Sequence, residues 1–423
     1  MHRSAYAWIW GSVFLWSADA SAIEANCTSP LARSSVVPCA LELSLAVRSA
    51  GDVRRALTGR RTAALPIFPS NPMLAASIGR RITTSQPTAT NWYVSLSQEI
   101  EIGGQRGFRL DAADADLDAN AERTRLVQRD AIADTYLAYF EVLGARAELD
   151  VAKQLEDVSR DLSRAAVAAA DHGLASGVDA DLAEAAGFRS TQARIAAEGR
   201  VTRARVSLAT RLGVDPVGTL PDAAGDLVPL EGVVPAARIA LGSPYPEVVA
   251  LQDEKRAWDA RASAFRRAAV PNVTLSFFVQ EDGFQERVLG LGLALPIPFP
   301  QPIGRTYLGE AREAQALADR SATDAERVER ERRGSVVRAL ADYETLAQSV
   351  DAIPIDRIDR AKRTLASIAQ EVAAGRLAIR DAVLAQQTFT ALLLDYQAAK
   401  RALCIASVEL ARAASLPLER GGR

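Results

Sequence analysis

The chain has 423 residues, nearly half of them apolar, enough for roughly two or three ordinary domains. Its 50 basic and 52 acidic side chains leave a formal charge of −2, which removes the electrostatic case for nucleic acid as a partner. The two histidines, His2 and His172, leave almost no material for histidine-based catalysis or metal ligation.

Residues 1–22 read as a secretory signal: Arg3 is the basic start, Ala5 to Trp16 the apolar core, and Ala18-Asp19-Ala20 or Ala20-Ser21-Ala22 the small-residue cleavage site. The core is shorter than the ~20 residues a spanning helix needs, and no later segment is apolar enough for one. An exported protein without a transmembrane helix is expected. Cys27 and Cys39 are close enough in sequence to pair in an oxidising compartment. Lipidation of Cys27 is the competing reading, with Glu24-Ala25-Asn26 a poor lipidation signal before it. Cys404 reads as a small core residue within a helix.

Ala40 to Leu65 has helical composition, interrupted by Gly51 and Gly59 and ended by Pro66 and Pro69. Two strands follow, Met73 to Ile82 and Asn91 to Ile100; in the second, Trp92, Val94 and Leu96 alternate with Tyr93, Ser95 and Ser97. From Thr88 to Asp215 there is no proline, and a proline inside a helix costs about 3 kcal/mol. Ile132, Tyr136, Tyr139, Leu143, Ala147, Val151, Leu155, Val158 and Leu162 recur every three or four residues, the spacing of a nearly straight helix. A helix from Gln105 to Asp171 would be roughly 100 Å long. It turns at His172-Gly173-Leu174-Ala175-Ser176-Gly177, with Gly173 and Gly177 as stop signals and Asp179 in the first turn of the returning helix.

The hairpin occurs twice. A shift of 202 residues puts Gly173 on Gly375, Asp179 on Asp381, Leu182 on Leu384 and Gly107 on Gly309. Between the copies lies a Pro- and Gly-rich linker, 213–246, so the expected domains are a first repeat over 23–212, a second over 247–416, and a tail over 417–423. The second repeat opens with a helix from Glu247 to Ala269. Its strands are Val273 to Gln280 and Glu286 to Leu295, with a turn at Gly283; the last strand carries Leu289, Leu291, Leu293 and Leu295 on one face and Val288, Gly290, Gly292 and Ala294 on the other. Its rod begins near Gly304, is interrupted by Pro354, and turns at Gly375. Large residues on one side and small ones on the other suit a barrel wall. Four strands cannot close a membrane barrel, which needs about eight or more, whereas three chains supply twelve.

These features resemble the TolC-type outer-membrane efflux channels. The likeness is carried by the strand-to-helix passages Leu96-Ser97-Gln98-Glu99-Ile100-Glu101-Ile102-Gly103-Gly104-Gln105-Arg106-Gly107 and Leu293-Ala294-Leu295-Pro296-Ile297-Pro298-Phe299, with Gly304-Arg305 and Gly309 after the second. It is also carried by the tips Gly173 to Ala183 and Gly375 to Ala385. The Leu-Ser-Gln…Gly-Gly-x-Arg-Gly form is most similar to the heavy-metal cation efflux branch. Gln301-Pro302-Ile303 and the lack of an Asn after Arg305 depart from the family pattern. The resemblance implies a mainly α homotrimer with a twelve-stranded β-barrel in the outer membrane and an α-helical barrel in the periplasm. It implies docking onto a periplasmic adaptor coupled to an inner-membrane pump, and passage of metal cations or drugs. On that likeness Gly173, Leu174, Gly375 and Arg376 meet the adaptor, while Asp179 and Asp381 lie at the periplasmic gate.

Both aspartates have a plainer reading as acids in a helix's first turn, worth roughly 0.3–1 kcal/mol, and both readings can hold. His172 reads as a solvated turn residue, and Glu326 to Arg333 as a salt-bridged helix face. With no nucleophile–base pair or ligand cluster in view, the expectation is a passive channel without catalytic site or cofactor. A soluble periplasmic coiled-coil scaffold or adaptor is the alternative.

Overall fold

A computed structural model describes residues 27, 30–82, 88–282, 286–300 and 302–418. The expected signal segment, the turn at Gly283 and the end of the tail lie outside these residues. The elements in order are β1 (Leu31–Ala32), α1 (Val36–Leu43), α2 (Leu45–Ala64), β2 (Met73–Arg81), β3 (Ala89–Ile100), α3 (Gln105–Asp171) and α4 (Gly177–Leu212). Then come β4 (Ala223–Ala224), α5 (Val233–Ala240), α6 (Pro246–Ala268), β5 (Val273–Glu281), β6 (Arg287–Ala294), α7 (Leu308–Asp351), α8 (Ile355–Ala373) and α9 (Ile379–Ala413). The 202-residue shift carries the end of α3 onto the end of α8 and the start of α4 onto the start of α9. Pro354 breaks the second rod as expected, ending α7 at Asp351 and capping α8.

Three local expectations need correction. α2 runs unbroken through Gly51 and Gly59, since a helical glycine costs only about 1 kcal/mol and nothing crowds either one. Gly177 opens α4 rather than stopping α3, because Ser176 already supplies the cap. The second rod begins at Leu308, not Gly304, after a proline-rich segment that ends at Tyr307 with a φ of 57°.

The chain divides into two units, 1–49 with 126–243 and 331–423, and 50–125 with 244–330. In the first, the predicted stripe on α3 is buried or half-buried, with Tyr136 and Tyr139 fully buried beside Phe140. The Tyr139 and Phe140 rings meet edge to face at 5.4 Å, a geometry that favours both quadrupoles. The Tyr139 hydroxyl donates to the Ala224 carbonyl at 2.7 Å, and Ser407 Oγ accepts from the Leu230 amide at 3.0 Å. Those bonds, the parallel β1–β4 pairing and the short α5 tie down segment 213–246. Cys27 and Cys39 form a disulfide with Cα atoms 5.8 Å apart. A cluster built on Leu162, Ile358, Leu365, Ile368 and Leu393 joins α3, α8 and α9. Glu148 of α3 holds Arg200 of α4 at 3.0 Å and Arg401 of α9 at 2.7 Å. Gly144 makes room for the Arg401 stem, which a Cβ there would strike.

The second unit carries one antiparallel sheet of order β2-β3-β5-β6. The surrounding helices are joined by the pairs Arg61–Asp114, Arg123–Glu254 and Arg261–Asp116. A cavity of about 800 Å³ lies between α2, the start of α3, the end of α6 and segment 296–307, and Glu101 in its wall pairs with Arg109.

Candidate functional site

The register of the sheet decides the chemistry of its faces. Leu74, Leu96, Phe277 and Leu291 form one cross-strand row, and Ala76, Val94, Val279 and Leu289 the next. Ile78 and Trp92 on one side, and Leu275 and Leu293 on the other, extend the same face. The opposite face carries Tyr93, Ser95, Ser97 and Glu99 on β3, Thr274, Ser276, Phe278 and Gln280 on β5, and Gly290 and Gly292 on β6. A soluble sheet buries its apolar face against another layer, but here that face is bare: Leu291 is 86% exposed. Arg80, Glu281 and Arg287 stand at one end of it, with Arg287 Nε 3.3 Å from the Glu281 carboxylate.

The height of the apolar face fits a bilayer. Nine residues at about 3.4 Å each, tilted by about 40°, rise about 23 Å, close to the ~25 Å apolar band of outer-membrane barrels. Both edge strands, β2 and β6, lack a partner on their outer side among the described residues. An open edge of this length is a template for another strand.

The two hairpin tips share one backbone design. At the first, the Leu174 amide donates to the Ala169 carbonyl at 2.8 Å and the Gly173 amide to that of Ala170 at 2.9 Å. At the second, the Arg376 amide donates to Glu371 at 3.0 Å and the Gly375 amide to Val372 at 2.9 Å. This crossed pair of bonds ends a helix through a residue of positive φ, and Gly173 and Gly375 sit at 70° and 69°. The side chains then differ. Leu174, 83% exposed, and Val178 give the first tip an apolar surface. The second presents Arg376 and Arg380. Arg376 grips Glu371 in a fork of 2.7 and 2.9 Å, and this hydrogen bond holds the Glu371 carboxyl below its ordinary pKa.

The two expected gate aspartates occupy different surroundings. Asp179 is half-buried; its amide donates to Ser176 Oγ at 3.1 Å, and the Ser176 hydroxyl donates to its carboxylate at 2.7 Å. Arg380 Nη2 stands 3.9 Å from the Asp179 carboxylate, so the structure brings the two tips together. Asp381 is exposed and forms no ion pair among the described residues. His172 is exposed in the first turn, and no cluster of three or more metal-ligating side chains occurs among the described residues. Arg380, Ser176 and Glu371 were assigned no role from the sequence, although Ser176-x-x-Asp179 has the spacing of a capping box.

Comparison with known proteins supports the geometry. Residues 50–214 match the family model described as outer membrane efflux protein. Protein CyaE of Bordetella pertussis is 33% identical over 168 residues, 39% of this chain and 35% of that protein. The nickel-cobalt-cadmium resistance protein NccC of Alcaligenes xylosoxydans xylosoxydans is 26% identical over 255 residues, 56% of this chain and 53% of that one. The chain thus spans about half or less of these relatives' length. The crystal structure of the outer membrane protein VceC from Vibrio cholerae shares the fold with a TM-score of 0.73 at 15% identity, covering 91% of this chain and 96% of that one. The chain thus matches the outer membrane efflux protein family over residues 50–214, and it shares the fold of an outer membrane protein over nine-tenths of its length.

Proposed function

We propose that this chain is the outer-membrane channel of a tripartite efflux system, a passive exit duct set in the outer membrane and reaching into the periplasm. The observation that carries the reading is the four-stranded sheet with two open edges and one bare apolar face. Burying that face in lipid and pairing those edges requires further copies of the chain, and three copies supply twelve strands. On this reading Gly173, Leu174, Gly375 and Arg376 present the tips to a periplasmic adaptor, which links the duct to an inner-membrane pump. Asp179 and Asp381 form carboxylate rings at the periplasmic mouth, where acidic rings favour cations.

The cargo we assign is a divalent transition-metal cation. Support comes from the Leu96–Gly107 passage and from the likeness to a protein named for nickel, cobalt and cadmium resistance. Deleting the gene should lower the host's tolerance of these three cations, and restoring it should recover tolerance. Unchanged metal tolerance together with new drug sensitivity would reassign the cargo.

A further inference from the structure

We infer the register in which β6 of one copy pairs with β2 of the next: Ala294 opposite Ala75, Gly292 opposite Ser77 and Leu291 opposite Ile78 of the neighbouring copy. The inference rests on the proposed barrel of identical chains but not on the number of copies in it. Three constraints define it.

The first is parity. Side chains alternate at period two, so a one-residue slip would turn the apolar face of one copy into the lumen of the next. Leu289, Leu291 and Leu293 must continue the face formed by Leu74, Ala76 and Ile78, which leaves only registers separated by about two residues.

The second is strand tilt. Closing a barrel ties the stagger between strands to their tilt. If one copy advances the ring by about four residues over its four strands, a rise of about 3.4 Å and a spacing of about 4.8 Å give a tilt of about 35°. Shifts of about two and about six residues give about 20° and about 47°. Membrane barrels tilt by about 35–45°, which excludes the smallest shift and leaves the other two.

The third is the direction and size of the stagger already present within the chain. The row Ser77–Tyr93–Gln280–Val288 runs across all four strands. Ser77 is the middle residue of β2, yet Val288 is only the second residue of β6. Over three pairings the strands have therefore stepped along by between two and three residues, close to one per pairing. Continuing the same step from β6 to the next β2 places Val288 opposite Arg81, and Ala294 then falls opposite Ala75. The seam so formed sets Gly290 against Gly79, Gly292 against Ser77 and Ala294 against Ala75 on the lumen face, all small residues, and Leu293 against Ala76 on the lipid face.

The test is oxidative cross-linking of the purified oligomer carrying Ala294→Cys with Ala75→Cys. Directly opposed residues have Cβ atoms about 4.5–5.5 Å apart and diagonal ones about 7–8 Å, so only the direct pair links readily. The neighbouring registers are read with Ala294→Cys combined with Ser77→Cys or with Met73→Cys. Cys27 and Cys39 are bonded within the chain and Cys404 is buried, so the unsubstituted protein is the blank. The expected result is conversion of the Ala294/Ala75 variant to covalently linked copies, with the other two lagging well behind. A second pair, Leu291→Cys with Ile78→Cys and a lipid-soluble oxidant, gives the same reading if the first disturbs assembly. Fastest linking of Ala294 with Ser77 or Met73, or no linking in any pair of an intact oligomer, overturns the register while leaving the channel standing. A monomer by mass overturns both.

Discussion

Gly173 and Gly375, 202 residues apart, end their helices with the same backbone geometry, φ of 70° and 69°, and the same crossed hydrogen bonds. No side chain crowds either one, so conformation alone requires glycine there. Gly375→Ala should destabilise the tip by about 1 kcal/mol, seen as faster amide exchange around Arg376, without preventing oligomer formation. Gly375→Trp should leave the oligomer in the outer membrane and abolish efflux; full efflux would remove this tip from the docking surface.

The sheet faces make opposite demands on a charge. Leu291→Arg places a cation in mid-bilayer and should cost about 2–4 kcal/mol of barrel stability, measured by denaturant unfolding in detergent. Gly290→Arg lies on the other face, against the Phe278 ring, and should change single-channel conductance or block assembly by collision. If both variants assemble and conduct as the parent does, the faces are assigned wrongly.

If Asp381 lines the proposed mouth, Asp381→Ala should reduce cation preference in planar-bilayer recordings, since each copy loses one exposed carboxylate. Arg380→Ala should move the preference the other way, because it removes the guanidinium 3.9 Å from Asp179. Unchanged selectivity in both would place these residues away from the permeation path.

The fork between Arg376 and Glu371 makes the second tip sensitive to acid. Hydrogen bonding lowers the Glu371 pKa in the folded protein. The contribution to stability is therefore complete above the ordinary carboxyl value of about 4.3 and is lost as pH falls through the lowered one. A spin label at Ala374 should become more mobile over that acidic window, and Glu371→Gln should remove the transition.

Burial pushes the Cys404 thiol up to about 11, so it stays protonated and shielded at neutral pH. Alkylation at pH 8 should be negligible in the folded protein and rapid after unfolding. Stability linked to this thiol should fall as pH rises from about 8.5, the unfolded value, towards the folded one.

The long helices were legible because they combine absence of proline with a sustained period, and the tips because duplication shows the same Gly and Asp twice. The face pattern of β6 was legible from alternation alone. What escaped depends on partners distant in sequence. Segment 213–246 reads as a linker because its anchors, the Tyr139 hydroxyl and the Ser407 hydroxyl, lie on helices far along the chain. The approach of Arg380 to Asp179 joins the two repeats, which local spacing cannot reveal. The unbroken α2 escaped because glycine punctuates a helix only when its modest cost decides the outcome.

The central claim is that β2 and β6 are edges only in the isolated chain. The direct measurement is the mass of the protein purified in mild detergent, by light scattering corrected for bound detergent, together with its β signal by circular dichroism. The account predicts three copies of the 45.2 kDa chain, less any cleaved leader, in a heat-resistant complex with intact β structure. A single copy retaining the full β signal would contradict it.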